Sequence, residues 1–146
     1  MSVALFDKAF DALTELRKCE QAMQLRPGSF GATAIFLGTM RDFNEGDDIR
    51  NMTLEHYPGM TEKHLEAIID EARSRFDIDE ALIIHRVGPI HPAETIVLTA
   101  VWSAHRKAAF DANRYLMEEL KHRAPFWKKE TLNDGSTRWV EQNTPG

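Results

Sequence analysis

The 146-residue chain has no segment that would take it out of water. No apolar run approaches the roughly 20 residues of a membrane-spanning helix, and the opening MSVALFDKAFDAL carries acids where a secretory leader carries bases. A lone cysteine, Cys19, excludes an internal disulfide and a thiolate metal cage. A reducing cytoplasm is the expected setting. Also missing are the glycine-rich dinucleotide and phosphate loops, the GxSxG elbow and the HExxH zinc motif. The six histidines contain no pair four residues apart, so neither a metal nor a cofactor is expected. There is no internal repeat and no low-complexity tract.

What is present describes a globular protein. The chain is 42% hydrophobic and 28% charged, with 6 prolines and 8 glycines. At this length one domain over residues 1–146 is expected, burying roughly 70% of its unfolded surface. The net charge of −5 argues against a general nucleic-acid binder, but the charge is segregated. Between Ser103 and Lys129 seven basic residues face three acidic ones, so this stretch carries +4 and the remainder −9. Such a stretch suits an anionic partner of limited size, because a long polyanion would also meet the acidic surface.

Periodicity predicts a helix from about Phe6 to Leu25, with Phe6, Phe10, Leu13, Leu16 and Cys19 on its buried stripe. A buried strand is predicted over Gly31–Gly38, delivering Thr39, Met40 and Arg41 to its end. The polar, turn-rich stretch Asp42–Asp48 reads as a mobile loop whose spacing is wrong for a calcium site. Met52–Tyr57 alternates as a strand, and Met60–Phe76 forms an amphipathic helix through Leu65, Ile68, Ile69 and Ala72. Ala81–Val87 and Thr95–Trp102 are nearly continuous apolar runs, as sheet-interior strands are. A third helix spans about Ala104–His122 and is stopped by Pro125. A hairpin of Phe126–Leu132 and Thr137–Glu141 turns at Asn133-Asp134-Gly135. The expected fold is α+β: a mainly antiparallel or mixed sheet with helices packed against it, plus this small C-terminal hairpin.

The chemistry concentrates at the third helix. Lys121 and Arg123 near its C-terminus have a sufficient explanation in the helix dipole. His105-Arg106-Lys107 at the N-terminus do not, since the dipole disfavours cations there, and a bound anion would offset that penalty. Phe126-Trp127 between basic residues reads either as an aromatic platform for a ring or as a strand end packed on the core. Cys19 reads as a small apolar residue.

Five strings occur in order: Phe36-Leu37-Gly38-Thr39-Met40-Arg41, Leu54-Glu55-His56-Tyr57, His85-Arg86-Val87-Gly88, Ser103-Ala104-His105-Arg106, and Leu120-Lys121 followed by Ala124-Pro125-Phe126-Trp127-Lys128-Lys129-Glu130. Together, over about Gly31 to Glu141, they resemble the catalytic (large) subunit family of molybdopterin synthase. Many members begin with a strand, and the helical reading up to Leu25 departs from that. The resemblance implies transfer of two sulfurs to cyclic pyranopterin monophosphate, forming the dithiolene of molybdopterin. It further implies a small ubiquitin-like carrier subunit that brings each sulfur as a C-terminal thiocarboxylate, and a homodimer at the centre of a heterotetramer. No nucleic acid or membrane takes part.

Carried over residue by residue, the family's functional lysines fall on Lys121 and Lys128. Its anion-binding residues fall on Arg41, His105 and Arg106, with Thr39, Met40, Lys129 and Glu130 lining the substrate. In physical terms Arg41, His105 and Arg106 would hold the phosphate. Lys121 would meet the thiocarboxylate with a pKa lowered by neighbouring cations, and Lys128 would share the electrostatic work. His56, His85 and Arg86 read as hydrogen-bonded structure. Arg138 and the last helix are candidates to reach across the dimer interface. The competing reading is a non-catalytic nucleotide or RNA-binding module built on the basic C-terminal segment.

Overall fold

A computed structural model describes residues 2–140 and shows two sheets. The first has the order β1 (Val3–Phe6), β5 (Glu80–Arg86), β7 (Thr95–Ser103), β2 (Ala32–Thr39). Only β1 and β5 run parallel; the other pairs are antiparallel, giving the expected mixed sheet. Helices α2 (Met60–Arg75) and α3 (Arg106–Arg123) cover one face, where Leu65, Ile68, Ile69, Leu116 and Leu120 close over Ile83, Val97 and Val101. Helix α1 (Ala12–Met23) covers the other, laying Leu16, Cys19 and Met23 on Leu82, Ile84, Leu98 and Trp102. Both faces of β5 and β7 are therefore covered along their middles, where Ala81–Ile84 and, apart from Thr99, Ile96–Trp102 are apolar without alternation.

The second sheet has the order β3 (Phe43–Asn44), β4 (Asp47–His56), β8 (Phe126–Leu132), β9 (Thr137–Val140), with β6 (Gly88–Ile90) on the other edge of β4. It is antiparallel throughout. Its inner face contributes Ile49, Met52 and Leu54 to a cluster with Met40, Val87 and Ile90. The chain leaves the first sheet for the second at Gly88, whose φ of 78° a side chain would oppose. The hairpin of β8 and β9 forms as expected, with Glu141 outside the described residues.

Three expectations need correction. The first element is not one helix: β1 pairs with β5, and α1 starts only where the Asp11 carboxylate accepts from the Leu13 and Thr14 amides. Phe6 and Phe10 join the same apolar cluster as Leu16, so their spacing imitates a helical stripe, yet Leu13 is 61% exposed. The chain thus begins with a strand. Second, the stretch Asp42–Asp48 is a β-hairpin, and β4 starts at Asp47 rather than Met52. Third, β2 is an edge strand with Ile35, Phe36 and Leu37 exposed, not a buried one.

Candidate active site

Between the two sheets and the C-terminal half of α3 lies a cleft of about 750 Å³. Strand β8 makes much of its wall. Successive side chains on a strand face opposite ways, so Phe126, Lys128 and Glu130 line the cleft while Trp127 and Lys129 face outward. Thr39, Met40 and Arg41 enter from the end of β2, and Lys121 from the last turn of α3. That turn is braced by Arg123, which pairs with Glu71 of α2; Tyr115 donates to the same carboxylate at 2.8 Å. Met40 is held by backbone bonds, its amide donating to the Glu94 carbonyl and its carbonyl accepting from Ala93, both 2.9 Å. The Arg41 guanidinium stands 4.9 Å over the Phe43 ring.

The electrostatics follow from crowding. Burial pushes the Lys128 ammonium down to about 8, the adjacent Lys121 charge pushes the same way, and Glu130 opposes both. Behind Lys128, burial lowers His85 to about 3, with that lysine, Lys121 and His56 adding to the effect. Its Nδ1 lies 2.7 Å from the Arg86 carbonyl, which only accepts. The imidazole is therefore neutral with the proton on Nδ1, and it stacks on Phe126 at 4.1 Å between centroids.

Not every predicted site residue joins this cleft. His105 caps α3 and Arg106 begins it, fifteen residues before Lys121, which at the helical rise is roughly 22 Å away. Both are exposed, and neither side chain has an ion-pair partner among the described residues. Lys107 beside them pairs with Asp111 at 2.6 Å, so its charge needs no bound anion. Lys129 lies on the outer face, 5.7 Å over the Trp139 ring. Glu130 is in the cleft wall, but both its oxygens are engaged by Arg138 and Asn44. Arg138, the candidate for an interface, makes its hydrogen bonds here to Glu130, Asp47 and the Asn44 carbonyl of its own chain. Of the two aromatics, Phe126 is core and Trp127 is exposed, edge-on to Tyr57 at 5.0 Å.

Residues 11–123 match the family described as MoaE protein. The chain belongs to the MoaE family. Among curated MoaE relatives, the molybdopterin synthase catalytic subunit of Ralstonia nicotianae is 53% identical over 119 residues, covering 80% of this chain and 67% of that one. The crystal structure of molybdopterin synthase from Staphylococcus aureus superposes with a TM-score of 0.84 at 30% identity, covering 95% of this chain and 96% of that one. A Helicobacter pylori structure, described as the protein-protein complex of subunits 1 and 2 of molybdopterin-converting factor, superposes with a TM-score of 0.76. At 21% identity over 97% of this chain and 92% of that one, it supports the fold alone. No helix among the described residues of this MoaE chain is long and apolar enough to cross a membrane.

His85 holds the hydrogen-bonded place read from the sequence, against the Arg86 carbonyl, and in addition lines the cleft, for which a histidine ending the apolar run of β5 was the available signal. Phe36 and Met117 also line the cleft, and nothing local distinguishes them from core residues.

Proposed function

We propose that this chain acts as the catalytic subunit of a molybdopterin synthase. In this reading it moves sulfur from the C-terminal thiocarboxylate of a small ubiquitin-like carrier subunit to cyclic pyranopterin monophosphate, building the dithiolene. The observation that carries the reading is the convergence of Arg41, Lys121 and Lys128 on one cleft of ligand-binding size. Both reactants are anions, and crowded cations in a partly dry cleft are stabilised when an anion joins them.

In this scheme the Arg41 fork takes phosphate oxygens, with Thr39 and Met40 against the pterin. Lys121 meets the incoming thiocarboxylate and, charged, stabilises thiolate or oxyanion character as sulfur moves. Lys128, with a pKa near 8, is neutral in roughly a tenth of molecules at pH 7 and serves as the proton-transfer group. The sulfur must arrive on the carrier, because Cys19 lies on the opposite face of the first sheet, half-buried, where burial pushes its thiol up. His105 and Arg106 serve the cleft of a second copy in the central homodimer. The exposed apolar edge of β2, without the charges that usually guard such an edge, supports that pairing.

The test is incubation with thiocarboxylated carrier and cyclic pyranopterin monophosphate. Dithiolene product is expected, and its absence with both reactants saturating would overturn the reading. Arg41→Ala should weaken precursor binding, and an unchanged affinity contradicts the phosphate assignment. One observation favours the nucleotide-binding reading: Trp127, Tyr57 and Trp139 are exposed near Lys129 on the outer sheet face. That reading requires steeply salt-dependent oligonucleotide binding.

A further inference from the structure

The β3–β4 hairpin has little of its own to hold it in place. Its strands share the pairs Phe43 with Asp48 and Asn44 with Asp47, with the Ile49 amide donating to the Asp42 carbonyl at 2.8 Å below them, and Glu45 (φ 51°) and Gly46 (φ 81°) form its left-handed turn. A hairpin this short is marginal in water. It is fastened from β9, about ninety residues later in the chain, by one side chain. The Arg138 Nε donates to Glu130 Oε1 at 3.0 Å, Nη1 to Asp47 Oδ2 at 2.8 Å, and Nη2 to the Asn44 carbonyl at 3.0 Å. Asn44 Nδ2 then donates to Glu130 Oε2 at 2.9 Å, closing a ring of contacts across β3, β4, β8 and β9. Glu130 is only 6% exposed, so this carboxylate sits in the cleft wall with its charge answered by Arg138.

We propose that Arg138 is a positioning residue for the cleft. With Glu130 and Asn44 it pins the hairpin, so that Arg41 and Phe43 at its base stand ready over the Lys121 and Lys128 side of the cleft. The planar fork matters as well as the charge, because one guanidinium reaches three acceptors that a single ammonium cannot reach together. Without the pin, substrate would have to order the hairpin on binding, and Asp47 and Glu130 would stand uncompensated beside an anion. The proposal rests on the sulfur-transfer reading for its substrate and extends it to Arg138, which is outside the cleft lining.

The experiment combines turnover, at saturating thiocarboxylated carrier and varied cyclic pyranopterin monophosphate, with amide hydrogen exchange over residues 43–48. It compares wild type, Arg138→Met, Arg138→Lys and Asn44→Ala. Both arginine variants should raise the precursor KM by about tenfold, through lost preorganisation, with kcat within about twofold. Asn44→Ala, which alters no charge, should raise KM by a smaller factor. In all three the hairpin amides should exchange faster, while those of β5 and β7 keep their protection. An unchanged KM and unchanged hairpin exchange in Arg138→Met, full activity in Arg138→Lys, or a loss confined to kcat would overturn the proposal. If Arg138→Met does not fold, Asn44→Ala carries the same comparison. A wild type that makes no dithiolene would refute the sulfur-transfer reading, while the exchange data would still report on the pin.

Discussion

The two sheets use burial in opposite ways. In the first, β5 and β7 bury Leu82, Ile83, Ile84, Leu98, Ala100 and Val101 completely; Thr99 is the polar side chain among them, and His85 and Arg86 are buried only where β5 ends. In the second, β8 turns Lys128 and Glu130 inward beside β4, where Met52 and Leu54 are buried. Burying an alkyl group stabilises the fold, whereas burying an ammonium next to another opposes it. The first sheet thus supplies stability that the cleft partly spends on holding like charges together.

This contrast can be broken from either side. The largest effect is expected for Lys121→Ala, which should lower dithiolene formation by roughly 10² to 10⁴, the range for a lost proton-transfer or electrostatic group, with little change in thermal midpoint. Normal turnover by this variant would remove Lys121 from the mechanism. Leu98→Ala in the first sheet should do the reverse, costing about 2 to 5 kcal/mol of stability by denaturant unfolding while the folded fraction keeps its turnover. A cost below about 1 kcal/mol would mean that β7 is not packed on both faces.

Next in size is Lys128→Met. With a folded pKa near 8 against an unfolded value near 10.5, the ammonium disfavours folding below pH 8, and that penalty fades as pH rises toward 10.5. Removing it should therefore stabilise the protein at pH 7 by up to about 3 kcal/mol while abolishing most activity. A destabilised variant would show that the lysine is not under strain. The last effect is a slope rather than an offset. His85 has a folded pKa near 3 against 6.5, so it favours folding above pH 6.5, and that contribution is lost as pH falls toward 3. His85→Gln should flatten the fall in unfolding free energy between pH 6.5 and 4, and identical slopes would place the imidazole in water.

What could be read from the residues alone follows the same division. Strands β5 and β7 are legible because both faces are covered along their middles, and α3 because Ala109, Ala112, Leu116 and Leu120 recur at the helical period. Strand β1 is not, since four residues ahead of Asp11 leave no period to count, and Phe6 at its end packs on Phe10 in the connection to α1. The hairpin at 43–48 is polar and local signals call it a loop; what fastens it is Arg138, far along the chain. The cations could be named from their motifs, but not which of them meet. Helix length alone separates His105 and Arg106 from Lys121, whereas the meeting of Arg41 with Lys121 and Lys128 depends on two sheets packing.

The most direct test is the titration of Lys128 by NMR, with the lysine ammonium signals assigned through Lys128→Met. The account predicts a pKa near 8 in the free protein, a partial rise in Lys121→Met because burial remains, and a rise on adding cyclic pyranopterin monophosphate. A Lys128 that titrates near 10.5 in the free protein and does not respond to the precursor would contradict it.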